Sequence, residues 1–313
     1  MDVYVDGKLV PKDEASISVF DHGLLYGDGI FEGIRAYNGR VFRLDEHLHR
    51  LYIGLKVIKL HLAHTPQELK DLVIKTLRHN GMRDAYIRLV ITRGKGDLGI
   101  DPRNCKVPTV IIITDKITLY PPELYEKGLP LVTVVARRNN PEALNPKVKS
   151  LNYLNNILGR LEANAVGAGE GLMLNQDGYV AEATADNIFV VERYAGRMRL
   201  RTPPSYVGAL EGITRGAIME LAPQLGYEVL ETPFTRHGIW AAEEAFLTGT
   251  GAEIIPVATL DGRPVGDGAV GPVTKEIMRE FKALVSREGT PIFPEEEGTL
   301  PRTAAVSGVR THQ

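Results

Sequence analysis

The sequence predicts a mixed α+β fold in two units, on three observations. Strand and helix patterns are interleaved without the regular βαβ spacing of a doubly wound sheet. Residues 120–130, with Pro121, Pro122, Gly128 and Pro130, form a breaker-rich stretch that divides the chain. The 313 residues can bury a large core, as one large domain or two compact ones. The expected organisation is a unit over 1–119, a connection over 120–130, a larger unit over 131–287 and an extended tail over 288–313.

In order along the chain, MDVYVDGKLV reads as a hairpin around Asp6-Gly7, and IFEGIRAY with RVFRL reads as another around Asn38-Gly39. Asp45 is expected to cap a helix, in which Leu48, Leu51, Leu55 and Ile58 fall near helical spacing. Thr65-Pro66-Gln67-Glu68 combines a capping box with proline at the first helical position, and that helix should stop at Asn80-Gly81. AYIRLVIT and VPTVIIIT follow as apolar strands. The second unit opens with LVTVVARR and continues with a helix from about Leu151 to Val166. Short strands then break at Asp177-Gly178 and Gly196, and a helix begins near Ile213. AFLTGT leads into the turn Gly249-Thr250-Gly251, and PVTKEIMREFKALV makes the last helix. Beyond about Arg287 the chain is rich in Pro, Glu, Gly, Ser and Thr, which predicts an extended tail.

Composition excludes several classes. Hydrophobic residues make up 43% and charged residues 24%, the balance of a soluble globular protein. The 37 basic and 39 acidic side chains nearly cancel, so no global field attracts nucleic acid or an anionic membrane. No apolar run approaches the roughly 20 residues that span a bilayer, and the N-terminus lacks signal-peptide patterning. Cys105 is the only cysteine, which excludes an internal disulfide and a multi-cysteine metal site. His47 and His49 diverge on a helix and cannot share a metal. No Walker loop or dinucleotide fingerprint occurs. A cytoplasmic enzyme without a metal is expected.

The chemistry concentrates in residues 145–156, NPKVKSLNYLNN. A lysine just ahead of a helix can aim its amine into a cavity, with Tyr153 one turn along. At its ordinary pKa of about 10.4 a lysine is protonated and a poor nucleophile, and a Schiff base removes that handicap. On local grounds Lys147 and Lys149 are equal candidates, and either alone reads as a solvated surface lysine.

The wider pattern resembles the fold-type IV (class IV) pyridoxal-phosphate enzymes, and among them the branched-chain amino-acid aminotransferases. It is carried by YGDGIFEGIR (26–35), EHLHRL (46–51), AYIR (85–88), KSLNYLNN (149–156), GYVAEATADNIF (178–189), LEGITR (210–215) and TGTGAE (248–253), in the family's order. The resemblance implies a small N-terminal α/β domain, a larger C-terminal mixed α/β domain, and pyridoxal 5'-phosphate as cofactor. It selects Lys149 as the catalytic lysine and Glu182, over nearby Asp186, as the partner of the pyridine nitrogen. It also implies that Tyr153 bonds the ring hydroxyl, that Leu210 packs on the ring, and that Arg50, Ile213, Thr214 and Thr250 hold the phosphate. An anion at Ile213 and Thr214 suits the start of a helix in its own right.

For substrates, Tyr86 and Arg88 lie two apart on a strand and share one face, opposite Ala85, Ile87, Leu89 and Ile91. The family uses such a pair for the distal carboxylate of glutamate or 2-oxoglutarate, and an internal salt bridge is the plain alternative for Arg88. Tyr26, Phe31 and Gly33 match the apolar side-chain pocket, and Gly251 with Thr250 matches the turn that receives the α-carboxylate. Tyr120 is the nearest counterpart of an aromatic expected in the connection. The implied activity is transamination of leucine, isoleucine and valine with 2-oxoglutarate, within branched-chain amino-acid biosynthesis. Rival readings are a D-amino-acid aminotransferase, an (R)-amine transaminase, aminodeoxychorismate lyase, and a non-catalytic binding protein of the same fold. The expected assembly is a homodimer or larger homo-oligomer whose active site includes a loop from the neighbouring subunit.

Overall fold

In the computed structural model, which describes residues 1–294, the strands form two sheets. The first is antiparallel, in the order Thr290–Pro291, Arg40–Val41, Gly29–Tyr37, Ala85–Thr92, Thr109–Asp115, Asp2–Val5, Lys8–Pro11. Both expected hairpins form, with Asp6 and Asn38 at positive φ ahead of their glycines, as a tight reversal between twisted strands demands. Helices Leu44–Val57 and Pro66–His79 cover this sheet. Leu48, Leu51, Leu55, Leu69, Val73 and Leu77 pack against Ile30, Ile34, Ile87 and Leu89. Thr65 and Glu68 make the reciprocal capping box. Asp45 does not cap the preceding helix: Arg43, in left-handed conformation, is the N-cap, and Asp45 lies in the first turn. A tight turn out of Arg40–Val41 draws the helix start back by two residues, leaving Asp45 to the favourable dipole position instead.

The second sheet is mixed, in the order Glu228–Glu231, Arg197–Thr202, Asn187–Tyr194, Glu244–Gly249, Glu253–Leu260, Leu129–Thr133, Glu170–Leu174, Val180–Ala183, with Arg263–Pro264 beside Glu253–Leu260. Within the expected connection, Pro122–Lys127 is helical, and the second sheet already begins at Leu129. The tail also departs from expectation. Thr290–Pro291 pairs with Arg40–Val41, and Ile292 is buried in the first core. An apolar side chain reaching a sheet edge outweighs the breaker-rich composition around it. The remainder of the expected tail, 295–313, lies outside the described residues.

The sheets meet at residues 149–151. Phe31 N donates to Lys149 O at 3.0 Å and Leu151 N to Gly29 O at 3.0 Å, so this segment pairs like a strand. That pairing delays the following helix, which runs Leu154–Ala165 rather than from Leu151.

One polar cluster pins the first helix to its sheet. Glu32 is fully buried, and Arg50 donates to it through Nε at 2.8 Å and Nη2 at 2.6 Å. His47 Nδ1 lies 2.8 Å from the same carboxylate. Burial alone would raise the Glu32 pKa, but Arg50 and then His47 outweigh it and hold the carboxyl near about 2. Burial also dominates at His47 and pushes its imidazole down, so the ring is neutral and serves as a donor.

The Glu32 cluster predicts a specific acid sensitivity. The unfolded chain would bind this proton near 4.5 and the folded chain only near about 2. The stabilisation is therefore full above 4.5 and drains away as pH falls toward 2. Glu32→Gln should cost on the order of 3 kcal/mol at neutral pH, since it strands a buried Arg50 charge. It should also flatten the acid limb of a stability-versus-pH curve measured by urea unfolding. A wild-type limb that persists unchanged in the variant would remove Glu32 as its source.

Candidate active site

A cavity of about 430 Å³ lies where the sheets face each other, and every predicted site residue except Tyr26 and Tyr120 lines it. The partly exposed face of Ala85–Thr92 supplies Tyr86 and Arg88, whose Nη2 and Oη are 3.0 Å apart. Gly33, paired with Arg88 across the sheet, leaves room for that tyrosine: a Cβ there would come within 2.2 Å of Tyr86 Oη. Arg88 stacks over the Phe31 ring at 4.6 Å and, among the described residues, forms no ion pair. The salt-bridged alternative for Arg88 is thereby not what the fold provides.

Lys149 reaches the cavity from the paired segment. Its Nζ lies 3.0 Å from Tyr153 Oη and 4.6 Å from the Phe31 centroid. Lys147, the equal candidate on local grounds, instead points outward and pairs with Glu211 at 2.7 Å.

Glu182 is buried on Val180–Ala183 and fully engaged. Arg138 Nε donates to Oε1 at 2.8 Å, while Leu210 N at 2.9 Å and Asn187 Nδ2 at 3.1 Å donate to Oε2. Three donors, one of them cationic, hold it as a carboxylate.

An anion-binding end is built opposite. Gly212 is the N-cap of Ile213–Gln224 without a side-chain cap, so the first N–H groups of that helix face the cavity unspent. Arg50 turns Nη1 toward the same end, 2.6 Å from Glu211 O. Thr250 stands in the turn that follows Glu244–Gly249. Thr248 Oγ1, buried on the cavity wall, has no protein hydrogen-bond partner. A buried hydroxyl left without a partner costs about 1–3 kcal/mol, which a polar ligand in this cavity would recover. Backbone donors, an arginine, threonine hydroxyls, a lysine amine and a buried carboxylate together fit a phosphorylated pyridine aldehyde.

The remaining sequence expectations are redistributed. Tyr26 is on the short helix His22–Tyr26, 38% exposed, with its hydroxyl donating to Leu98 O, and it does not line this chain's cavity. Tyr120 is not a pocket aromatic. It is buried against Glu170 and Asp186, and its neighbours Ile117 and Leu119 line the cavity instead. Alternation along the extended connection turns one residue inward and the next outward, and sequence alone gave no means of choosing which. Glu32, Arg138, Asn187 and Thr248 were missed, although Thr248 opens the quoted TGTGAE segment.

With the geometry established, known proteins provide the comparison. Residues 29–260 match the Amino-transferase class IV family. A protein of Methanocaldococcus jannaschii is 48% identical over 295 residues, covering 94% of this chain and 100% of its own. The crystal structure of the Escherichia coli branched-chain amino acid aminotransferase superposes with a TM-score of 0.88 at 35% identity, covering 92% of this chain and 95% of that one. The branched-chain amino acid aminotransferase of Thermobaculum terrenum, solved in its PLP-form, gives a TM-score of 0.82 at 30% identity, covering 91% and 94%. This chain belongs to the class IV aminotransferase family.

Proposed function

We propose that the protein is a pyridoxal-phosphate-dependent aminotransferase that moves amino groups between branched-chain L-amino acids and 2-oxoglutarate. The observation that carries this reading is a cavity uniting Lys149, a carboxylate at Glu182 and a cation at Arg88 that forms no ion pair among the described residues. The relatives named for branched-chain substrates support it.

When bound, pyridoxal 5'-phosphate supplies an electron sink for charge developing at the substrate Cα. Lys149 would hold the cofactor through Nζ and, once displaced by the incoming amino group, move the proton between substrate Cα and cofactor C4′. Tyr153, within hydrogen-bond reach of Nζ, orients that amine. Glu182 would keep the pyridine nitrogen protonated, and Leu210 would pack on the ring. Arg50, Ile213, Thr214 and Thr250 would hold the phosphate. Phe31 and Gly33 line an apolar wall beside Arg88, so an aliphatic side chain and a distal carboxylate can occupy the same space in turn. Gly251 and Thr250 would receive the α-carboxylate. Tyr26 sits among exposed Leu24, Leu25, Leu98 and Ile100, a surface suited to a second copy of this chain, which would bring Tyr26 to the neighbouring cavity.

Two experiments test this reading. Lys149→Ala should abolish both the visible absorbance of the lysine-bound cofactor and turnover of leucine, whereas Lys147→Ala should preserve both. The reverse pattern would transfer the role to Lys147. Arg88→Leu should slow the half-reaction with L-glutamate by about ten- to a hundredfold, corresponding to roughly 1.5–3 kcal/mol for a lost charge-assisted pair. The L-leucine half-reaction, which offers Arg88 no anion, should change little. Single-turnover absorbance with each amino acid decides the matter, and equal losses would reopen the D-amino-acid and amine readings.

A further inference from the structure

Asp186 lines the cavity, is 5% exposed, and has no part in the chemistry above. Its Oδ2 lies 3.2 Å from Tyr120 Oη, and the same phenolic oxygen lies 3.1 Å from Glu170 Oε2. A phenol has one hydrogen, so it cannot serve two carboxylates at full strength.

The rest of the network decides which carboxyl holds a proton. Glu170 receives Arg160 Nη1 at 3.0 Å, Gly171 N at 2.7 Å and the Thr184 hydroxyl. With a cation and two further donors it is the ionised member, and Tyr120 donates to it. The contact between Tyr120 Oη and Asp186 Oδ2 then needs its own hydrogen, and Asp186 alone can bring it. The other oxygen of Asp186 abuts the Gly249–Gly251 turn: a Cβ on Gly249 would come within 1.9 Å of Oδ1.

We propose that Asp186 is held as a neutral carboxylic acid that donates its proton to Tyr120, and that this neutrality makes the Gly249–Gly251 turn permissive to a substrate α-carboxylate. The second half rests on the aminotransferase reading above, while the first stands on the hydrogen bonds alone. An ionised Asp186 would place a negative charge against the turn where the substrate brings its own. Asp186 is thus a positioning residue, acting on substrate through the turn.

The groups facing Asp186 agree. Burial first, and then Glu170, push it up to about 7, with Glu182 adding; Lys149 opposes, and Tyr120 would oppose only by donating to Asp186 rather than to Glu170. Tyr125, from the helix Pro122–Lys127, also senses its charge, and Arg160 acts from behind Glu170.

The test begins with infrared spectroscopy of the purified holoenzyme at pH 6. The carbonyl stretch of a protonated, buried carboxyl is expected, shifted by deuteration and absent in Asp186→Asn. Tyr120→Phe should move the band, because the acid loses its acceptor. An absent band, a band kept in Asp186→Asn, or one unmoved in Tyr120→Phe would each overturn the proton assignment. Kinetics then test the consequence. KM for L-leucine should rise about tenfold per pH unit above the Asp186 midpoint with kcat nearly constant, and the rise should vanish in Asp186→Asn. A rise that survives in that variant would overturn the carboxylate effect. Wild-type enzyme without leucine turnover at any pH would instead defeat the aminotransferase reading, with the infrared result still deciding where the proton sits.

Discussion

The active site depends on two backbone hydrogen bonds, Phe31 N to Lys149 O and Leu151 N to Gly29 O. They stitch the segment 149–151, which leads into the helix Leu154–Ala165, onto a strand of the first sheet. A lysine on a free loop would lose orientation with every backbone fluctuation. Held as an added strand, Lys149 leaves the sheet edge in one direction, above the Phe31 ring and beside Tyr153. The same pairing aligns the two halves of the cavity, because Phe31, Gly33, Tyr86 and Arg88 come from one sheet, Glu182 and Thr248 from the other, and Thr250 from the turn that follows Thr248. Positioning to within a fraction of an ångström is worth much in catalysis, and here backbone pairing provides it.

Charge is distributed by the same economy. Arg50 is neutralised by Glu32, and Arg138 by Glu182, so neither cation contributes a free field to the cavity. Arg88 and Lys149 stand outside any ion pair among the described residues. The cavity consequently offers an uncompensated cation where a substrate carboxylate would approach, while its buried pairs fix geometry. Buried pairs of this kind add little net stability against apolar replacements, but losing one partner is costly. They function as braces for Arg50 and Glu182.

Much of this was legible in the sequence wherever the signal was local. Asp6-Gly7, Asn38-Gly39 and the Thr65–Glu68 box announce their turns and cap through neighbouring residues, and all three form. The alternation in AYIRLVIT correctly put Tyr86 and Arg88 on one face. What escaped reading depended on distant partners. Glu32 lies in a strand buried along nearly its whole length, so no alternation marks it, and its partners are a turn of helix away in a separate element. The late start of the helix at Leu154 follows from strand pairing across more than a hundred residues. Tyr120 is the nearest counterpart of the aromatic that the resemblance leads one to expect in the connection, but it faces Glu170 and Asp186 while its neighbours Ile117 and Leu119 line the cavity.

The pairing of Thr290–Pro291 with Arg40–Val41, with Ile292 buried in the first core and Arg78 Nε donating to its carbonyl, bears on how the protein is made. Synthesis runs from the N-terminus, so the sheet begun by Asp2–Val5 keeps its Arg40–Val41 edge open until Thr290–Pro291 have left the ribosome. Unpaired edges invite pairing with other chains. Every strand of the second sheet, from Leu129–Thr133 onward, must therefore emerge while the first sheet is still unfinished. Chain closure and completion of the N-terminal core are one late event, and a nascent chain halted short of residue 290 would present its Arg40–Val41 edge to its neighbours.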